Sequence, residues 1–395
     1  MKISCDREKL WSAFQKAALL APSRSPKTIL QNVKLEVQEG GAVLMGTDLE
    51  IGIRVDVEGL EIQTPGSVVL PVGRFGSILR ESTDDRLQLE VDRNGVRIQG
   101  KASRFKLPVA NPDEFPVVTG FEEKKYQTVS ARLFKELIHR TLFATDTESS
   151  RYALGGVLLE MDSDKITAVA TDGRRLAKMS GRSKSVEGHV TSGETMTIVP
   201  HRSMQLIEKI LSMQLMERTS SEDAAGSDQP PKTNDFEIDV AARPNDVLIR
   251  TPKATIYSRL VEGRFPKWRD VLPQRPQAIR IKVMVGPIYS GLRQAAVVTD
   301  EENRGIDFRF GGGKLVLVAS AAEKGDSEVE RVIEYNGEPV AVTMDHRFVS
   351  DFLRALADDE TRVFTIEIEN DESAALFLTD DDYGYVVMPL ARDRG

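Results

Sequence analysis

The sequence predicts an α+β fold made of three tandem copies of one domain, each with two helices and antiparallel sheets. A strand-like segment is followed by an amphipathic helix three times, at residues 2–5 and 10–20, 126–129 and 133–143, and 280–283 and 288–298. A second predicted helix begins at a similar distance in each copy, near Pro71, Pro200 and Met344. A repeat of this length indicates whole domains rather than the short units of a solenoid.

The segments between the predicted helices have the alternation and the turns of antiparallel strands. Residues 87–98 alternate around Asn94 and Gly95, a pair typical of a two-residue hairpin. Similar short segments fill the other two copies, and sequential hairpins favour antiparallel sheets. Because helices do not alternate with single strands, the pattern indicates α+β rather than a parallel α/β sheet.

The ends of the first two copies are alike and locate the domain boundaries. Each ends in a Phe-Pro pair, Phe115-Pro116 and Phe265-Pro266. With the linkers that follow, these pairs predict three domains at residues 1–122, 123–275 and 276–395. Residues 217–235 have no counterpart in the other copies and contain no Val, Ile, Leu or aromatic residue. We expect this stretch to be a mobile surface loop inserted in the second copy.

Charge is unevenly distributed along the chain. The net charge of −8 argues by itself against a nucleic-acid partner. Each of the six predicted helical segments is nevertheless neutral or positive, so the acidic excess lies in the rest of the chain. Helix surfaces also carry Lys and Arg by chance, and charge alone leaves that alternative open.

Composition excludes several classes of protein. No apolar run approaches the roughly 20 residues that cross a bilayer, and residues 1–4 lack the apolar stretch of a signal peptide. Cys5 is the only cysteine, so a disulfide within the chain is impossible and a reducing compartment fits. We expect a cytoplasmic protein.

Motifs of the common catalytic and metal sites are missing. Residues 311–314 are glycine-rich, but Leu315 follows where a phosphate-binding loop needs Ser or Thr, so we expect a hairpin turn there. One Cys and four scattered His cannot build a zinc site. We expect no cofactor, no metal ion and no catalytic residue.

Acidic residues leave one enzymatic alternative open. Asp48, Asp172 or the cluster at 380–382 could hold a divalent cation in a nuclease or hydrolase. Asp172-Gly173 between two strands is also a common hairpin turn, and the 380–382 cluster fits a solvated turn. A further alternative is a protein-interaction scaffold that never contacts nucleic acid.

Four motifs, in order along the chain, carry a resemblance to a known family. They are GTDLE at 46–50, ATDGRRL at 170–176, LVEGRFP at 260–266 and YVVMPL at 385–390. With these motifs the chain resembles the bacterial DNA polymerase III beta subunits, the DNA sliding clamps, from Met1 to about Leu390. The resemblance implies a non-enzymatic processivity factor, a homodimer that closes head-to-tail into a ring around duplex DNA near the nucleoid.

The resemblance further implies residues for DNA contact and for ring closure. By position in the family, Arg24 and Tyr152 would contact DNA. The basic residues that the charge count finds on the predicted helical segments would face the DNA as well, namely Arg7, Lys9, Arg132, Arg140 and Arg202. The dimer interface would join one set from the first copy to another from the third copy of the partner subunit, namely Arg74, Ile78 and Arg104 with Ile288, Leu292, Asp300, Glu301 and Glu302. For the apolar members of these sets, a place in the domain core is the alternative.

The last implied site is a hydrophobic groove that captures short peptide motifs of the clamp loader, the replicative polymerase and repair proteins. Carried over by position, it comprises Leu154, Thr171, Gly173, Arg174, Arg175, Leu176, Pro266, Val271, Phe348, Met388, Pro389 and Leu390. Leu154, Leu176 and Met388 could instead be plain core residues. Asp270 stands where the family often has a basic residue, so we expect an altered motif preference. Phe348 replaces a frequent tyrosine and would lose a hydroxyl hydrogen bond, and residues 391–395 run past the usual end of the family, where they could cover part of the groove or extend into solvent.

Overall fold

A computed structural model describes residues 1–148, 152–191, 196–223, 235–272, 275 and 277–390, with the side chains of 152 and 219–223 left aside. These residues form six α-helices: α1 (Arg7–Ala18), α2 (Val72–Glu81), α3 (Ala131–His139), α4 (His201–Asp223), α5 (Val285–Ala295) and α6 (His346–Ala355). All three predicted strand–helix units are confirmed, as are the second helices that begin after Pro71, Pro200 and Met344. No helix among the described residues is long and apolar enough to cross a membrane.

The same residues form 26 strands. Those up to residue 182 are β1 (Lys2–Asp6), β2 (Asn32–Gln38), β3 (Gly41–Thr47), β4 (Ile51–Val57), β5 (Leu60–Thr64), β6 (Gly66–Pro71), β7 (Arg86–Asp92), β8 (Gly95–Gln99), β9 (Arg104–Leu107), β10 (Tyr126–Ser130), β11 (Gly156–Met161), β12 (Lys165–Thr171) and β13 (Arg175–Arg182). The others are β14 (Lys184–Val186), β15 (Thr197–Pro200), β16 (Glu237–Ala242), β17 (Asp246–Thr251), β18 (Ala254–Arg259), β19 (Ile279–Met284), β20 (Gly305–Gly311), β21 (Lys314–Ala321), β22 (Gly325–Val332), β23 (Val340–Asp345), β24 (Val363–Ile368), β25 (Ala375–Leu378) and β26 (Tyr383–Val387).

The chain divides into two compact units. The first comprises the described residues of Met1–Arg132, Lys184–Val190 and Gln205–Leu260. Its two antiparallel sheets have the strand orders β14-β10-β16-β17-β18-β4-β3-β2-β6 and β5-β1-β7-β8-β9. Pairing of β18 with β4 continues the larger sheet from the predicted second copy into the first.

Helix α1 is packed closely onto the first unit's larger sheet. Asp6 caps the helix by accepting a hydrogen bond from the Lys9 N–H, and Phe14 on its buried face meets Phe75 of α2 edge-to-face at 5.3 Å. Gly46 of β3 permits the approach, since a Cβ there would lie 2.1 Å from the carbonyl oxygen of Ala17. This contact explains the glycine of the 46–50 motif.

The second unit comprises the described residues of Leu133–Ser183, Thr191–Met204 and Val261–Gly395. Its antiparallel sheets have the orders β15-β11-β12-β13-β26-β25-β24-β19 and β22-β21-β20-β23. Pairing of β13 with β26 joins the predicted second and third copies in one sheet. Residues of the second copy therefore fall into both units, and the three-domain boundaries predicted from sequence remain a prediction.

An aromatic cluster forms the core beside β26. The Phe352 ring of α6 stacks on Tyr385 at 5.3 Å and on Tyr383 at 5.4 Å, and meets Phe364 and Phe377 edge-to-face at 5.2 Å each. All five side chains are buried. This packing fixes the strand that leads into the YVVMPL motif.

Two predicted turns are confirmed, and the predicted loop is corrected in part. Asp92 pairs with Gly95, so the hairpin is present and its two loop residues are Arg93 and Asn94, one position before the predicted Asn94-Gly95 pair. The glycine-rich turn joins β20 to β21. Residues 217–223 of the predicted loop instead continue helix α4. The first of them, Glu217, pairs with the buried Lys16, a long-range contact that composition does not reveal. The remaining residues, 224–234, lie outside the described part of the chain.

Candidate functional site

All twelve candidate groove residues belong to the second unit, and its backbone connects two of the sequence segments that carry them. Beyond the paired strands β13 and β26, the Met388 N–H donates to the Arg174 carbonyl at 2.9 Å. The Leu390 N–H donates to the Thr343 carbonyl at 2.9 Å. The segment 388–390 is therefore held beside the turn at 171–175 by backbone hydrogen bonds, which make its path independent of side-chain identity.

The turn at 171–175 is built from its own side chains. The Thr171 hydroxyl donates to the Arg175 carbonyl at 2.6 Å and accepts from the Gly173 N–H at 3.0 Å. Asp172 Oδ1 accepts from the N–H groups of Arg174 and Arg175, at 2.9 and 3.0 Å. Gly173 has φ +87°, which glycine adopts without strain. The turn is thus a rigid support for the exposed Arg174.

The first copy builds the same turn at 47–51. The Thr47 hydroxyl donates to the Ile51 carbonyl at 2.8 Å and accepts from the Leu49 N–H at 2.9 Å, while Asp48 Oδ1 accepts from Glu50 and Ile51. Leu49 takes the place of glycine with φ +83°. The two Thr-Asp motifs therefore occur for the same reason, since both build the same turn. In each, the aspartate accepts hydrogen bonds from backbone N–H groups of the turn.

Two of the three aspartates at 380–382 are also explained by structure. Asp381 bonds to Arg362 at 2.8 Å, and Asp382 accepts from Lys178 and pairs with Lys165 at 2.9 Å. Among the described residues no group of three potential ligands could hold a metal ion. The observations that favoured a metal-dependent hydrolase are accounted for by turns and ion pairs.

The Arg175 side chain is held by contacts within the second unit. Its Nη1 donates to Asp351 at 2.6 Å, its Nε to Asp172 at 2.9 Å and its Nη2 to the Phe143 carbonyl at 2.6 Å. Its guanidinium also lies 4.5 Å from the centre of the Phe348 ring. Three of the five N–H donors of its guanidinium are therefore used within the unit, and a contact of Arg175 with a bound peptide stays a prediction. Sequence reasoning missed Asp351, whose only local signal was a place on the predicted helix near Phe348.

Two guanidinium groups approach the Phe348 ring. Arg175 and Arg347 approach it at 4.5 and 5.9 Å, and the Phe348 carbonyl accepts from the Tyr385 hydroxyl at 3.0 Å. Arg347 is in turn held by Asp345 at 2.6 Å. These contacts hold the half-buried Phe348 ring in place. Its position therefore does not depend on the hydroxyl group that a tyrosine would have there.

The candidate apolar residues separate into a buried set and an exposed set. Leu154 and Leu176 are 4% and 2% exposed, and Leu176 packs with Phe265 and Trp268 in one core cluster. Both leucines are therefore core, as their alternative interpretation held. The apolar surface is carried by the exposed members, which are Pro266, Val271, Met388 and Leu390.

A short turn at Trp268–Val271 presents Val271 and Asp270. The Trp268 indole N–H donates to Glu160 at 3.2 Å, and Arg269 forms a two-bond pair with the same carboxylate at 3.0 and 2.7 Å. The Arg269 guanidinium lies 4.2 Å from the Trp268 ring centre. Asp270 is exposed and adds negative charge beside Val271. Its position is defined because the preceding Trp268 and Arg269 are bound to Glu160.

Arg140 was wrongly assigned to the DNA-binding set. Its side chain is 1% exposed and pairs with Glu136 and Asp381 at 2.5 Å each. Its guanidinium lies 5.3 Å from the buried Tyr383 ring. Asp381 follows Arg140 by 241 residues, so the sequence offered no local signal that this arginine is internal.

Arg7 is likewise tied within the first unit. Its Nε and Nη1 donate to the carbonyls of Asp84 and Leu79 at 3.1 and 3.3 Å, which supports the end of α2. We therefore withdraw it as a main phosphate ligand. The exposed candidates are Arg24, Lys9, Arg132 and Arg202. The Tyr152 side chain lies outside the described residues.

The predicted dimer residues are corrected at two positions. Ile288 and Leu292 of α5 are 1% and 0% exposed and belong to the core, so they offer no surface to another subunit. Their helix spacing of four residues places both on its buried face. Arg74, Arg104, Glu301 and Glu302 are exposed, whereas Ile78 and Asp300 are half-buried.

Three family models match the chain in succession. The N-terminal, central and C-terminal domains of the DNA polymerase III beta subunit match residues 1–119, 128–220 and 269–391. Among curated relatives, the beta sliding clamp of Pseudomonas aeruginosa is 26% identical and that of Escherichia coli K12 is 28% identical. Each alignment covers 99% of this chain and 100% of the relative.

Solved structures agree with these matches. The DNA polymerase III subunit beta of Pseudomonas aeruginosa superposes with a TM-score of 0.84 at 25% identity. A DnaN sliding clamp from the same organism, bound to griselimycin, gives a TM-score of 0.85 at 26% identity. Both cover 99% of this chain and 100% of the solved chain.

Proposed function

This chain belongs to the family of DNA polymerase III beta subunits, and we propose that it encircles duplex DNA as a dimeric ring and tethers the replicative polymerase. The observation that carries the proposal is the match of all three family domains, in order, over almost the whole chain. The protein is a sliding clamp, a processivity subunit with no catalysis of its own. We place it in the cytoplasm, at the nucleoid.

Sequence-independent holding of DNA requires charge that is diffuse. Contacts to phosphates carry no base information, and their strength falls as salt rises. The exposed Arg24, Lys9, Arg132 and Arg202 supply a few scattered cations in a chain of net charge −8. Such weak attraction suits movement along the duplex, while a closed ring would prevent loss of the DNA.

Ring closure would join the surface around Arg74 and Arg104 to the acidic segment 300–302 of the partner subunit. Both arginines and Glu301 and Glu302 are exposed, and opposite charges at the rim of an interface set its register. A heterologous contact of this kind forms a closed ring when its rotation closes. The half-buried Ile78 would add apolar contact beside Arg74.

The groove would bind short hydrophobic peptide motifs of the clamp loader, the polymerase and repair proteins. Support comes from the exposed Val271, Met388 and Leu390 beside a turn fixed by Thr171 and Asp172. Met adapts its shape to different ligands, which suits a surface with several partners. Because a related clamp has been solved with griselimycin, that compound is a direct probe of ligand binding here.

Processive synthesis tests the proposed function. A replicative polymerase on primed single-stranded DNA, supplied with a clamp loader and ATP, should make much longer products per binding event when this protein is added. The loader and ATP are required in this scheme because the chain carries no nucleotide-binding motif. Product lengths that do not change on addition of the protein would refute the proposal and favour a scaffold that never binds DNA.

A further inference from the structure

The strand that leads into the first helix has different neighbours in the three predicted copies. In the first copy β1 lies between β5 and β7, and in the second copy β10 lies between β14 and β16. In the third copy β19 pairs with β24 on one side and ends the sheet on the other. Within the described part of the chain, the third copy therefore lacks the strand that covers this edge in the other two.

The segment that would cover β19 by its place in the repeat is bound elsewhere. The covering strands β5 and β14 each come just before the strand that leads into the second helix, and residues 333–339 have this place in the third copy. The Ile333 N–H donates to the Gly313 carbonyl, and the Gly313 N–H donates to the Tyr335 carbonyl, both at 2.9 Å. Bound in this way to the glycine-rich turn, the segment does not pair with β19.

The open edge of β19 presents the backbone groups of three residues. The Val285 N–H, directly after the strand, donates to the Arg362 carbonyl on the β24 side at 3.0 Å. Hydrogen bonding alternates between the two sides of an antiparallel strand. The N–H and C=O groups of Arg280, Lys282 and Met284 therefore point away from β24, toward the open edge.

The first copy shows how such groups are paired when the edge is covered. Asp6 directly precedes the first helix of its copy, as Met284 does in the third. The Asp6 N–H donates to the carbonyl of Gly59, just before β5, at 3.0 Å. Among the described residues no element supplies the corresponding bond to Met284.

The edge of β19 also lacks the features that protect the other two copies. The covering strand β14 has only three residues, and β5 is followed by Pro65 and pairs with β1 through a register shift. In contrast, β19 has six residues in regular register with β24. Short strands, prolines and irregular pairing disfavour the addition of another strand, whereas a long regular edge is a template for it.

The side chains of β19 define which strand would fit beside it. Ile281 and Val283 are buried on one face of the sheet, whereas Arg280 and Lys282 are exposed on the other. Arg280 stays 64% exposed although it pairs with Glu367 at 2.8 Å. Residues directly opposite each other in an antiparallel pair share a face. Apolar residues would therefore suit the first face and acidic residues the second, while a second copy of β19 would bring like charges together.

We propose that the open edge of β19 binds an extended segment of a partner protein, which adds to the sheet as an antiparallel strand and alternates apolar with acidic residues. Backbone hydrogen bonds give affinity in this mode of recognition, and the alternating side chains give specificity. The antiparallel direction follows β5 and β14, which both run antiparallel to the strand that they cover. The site is distinct from the groove, since β24 and β25 separate β19 from β26.

Fluorescence anisotropy with a labelled hexapeptide, TVEIEV, tests the proposal on the full-length protein. Its glutamates would lie opposite Arg280 and Lys282, and its central valine and isoleucine opposite Val283 and Ile281. The matched peptide TVKIKV differs only in the sign of its charges. Two further peptides carry backbone N-methyl groups, either on both glutamates, whose N–H groups would face β19, or on the isoleucine and the last valine, whose N–H groups would face away.

Two variants of Lys282 separate the backbone from the side chain. Lys282→Ala removes the charge, and Lys282→Pro removes the outward N–H as well, which an edge strand tolerates. We expect TVEIEV to bind the wild type saturably and to bind Lys282→Pro about 10-fold more weakly, with Lys282→Ala between them. Lys184→Ala, on the short edge strand β14, is the matched control and should bind like the wild type.

The peptide series needs no variant, so the test does not depend on the folding of Lys282→Pro. N-methylation of the glutamates should abolish binding, N-methylation of the other pair should preserve it, and TVKIKV should bind more weakly than TVEIEV. The proposal would be overturned by a lack of saturable binding, by equal binding of the two N-methylated peptides, or by unchanged affinity in Lys282→Pro. A solution mass that falls in Lys282→Pro would show that a second copy occupies the edge, and would also overturn it.

Discussion

Asp381 shows how one carboxylate can stabilise the second unit. Burial disfavours its charge, but hydrogen bonds from Thr379 and Arg140 outweigh this and lower its pKa from 3.8 to about 2. Arg362 adds a third bond at 2.8 Å. The ionised form is thus favoured in the folded state, and its protonation must weaken that state.

The sign of the resulting pH dependence follows from the lowered pKa. The stabilisation is fully present above pH 3.8 and is lost as the pH falls through about 2. We expect Asp381 to account for about 1 to 2 kcal/mol of the unfolding free energy lost across this window, since partial exposure screens the pair. Urea unfolding of the wild type and of Asp381→Asn at pH 5 and pH 2.5 measures it. An equal loss in both proteins would contradict the assignment.

Met388 is the residue on which the groove prediction depends most. Its backbone is held by the Arg174 carbonyl, and its side chain is 47% exposed. Truncation should therefore remove ligand contact without disturbing the fold. For Met388→Ala we expect griselimycin or a hydrophobic clamp-binding peptide to bind about 10-fold more weakly, as for truncation of a contact residue.

Val363→Ala is the matched control for that measurement. Val363 is 49% exposed on β24, so both variants remove a similar amount of exposed apolar surface. Affinity that stays at the wild-type value in Met388→Ala, or that falls equally in both variants, would remove the groove assignment.

At the scale of elements, the two Thr-Asp turns allow a comparison, because they share their hydrogen bonds but differ in the residue at the position of positive φ. The turn after β3 places Leu49 at φ +83°, and the turn after β12 places Gly173 at φ +87°. A side chain with a Cβ is strained in this region by about 1 kcal/mol or more. A Cβ on Gly173 would meet no atom within 4 Å, so the difference between the turns is one of backbone energy.

Reciprocal substitutions test this reading of the turns. Gly173→Ala should lower the unfolding free energy by about 1 kcal/mol, and Leu49→Gly should change it little or raise it, because relief of strain offsets the lost side chain and added chain entropy. Chemical denaturation gives both values. A loss of stability in Leu49→Gly as large as that in Gly173→Ala would show that the turns differ in more than backbone conformation.

Local signals explain which elements the sequence predicts. The Asn94-Gly95 pair and the prolines before α2 and α4 act over a few residues, so they locate a hairpin and two helices directly. Long-range pairing leaves no such signal. Pairing of β18 with β4 and of β13 with β26 joins strands about 200 residues apart, and it mixes the predicted copies within two compact units.

The same limit applies to the candidate site. The Thr171 turn and the exposed Met388 follow from motifs, whereas the burial of Arg140 and the closed bonding of Arg175 depend on distant carboxylates. Charge counting therefore overstated the DNA-binding set. The family resemblance placed Ile288 and Leu292 at the subunit interface with the domain core as the alternative, and their burial shows that they are core.

At the scale of the whole molecule, a ring requires two copies. We expect light scattering to give a solution mass twice the 43.8 kDa of the chain. Reversal of charge in Arg74→Glu together with Arg104→Glu should shift the equilibrium toward the monomer, because like charges would face the acidic segment of the partner. Arg97→Glu is a control on the neighbouring strand β8. A wild-type protein that stays monomeric at micromolar concentration would contradict ring formation.

Retention on DNA of different topology tests the central claim most directly. The protein is loaded onto nicked circular duplex DNA with a clamp loader and ATP, and the complex is separated from free protein in high salt. Enclosure predicts that the protein stays on the circle under these conditions and is released when a restriction enzyme linearises the DNA. Release from the intact circle at high salt, or retention after linearisation, would show that surface contacts rather than a closed ring hold the DNA.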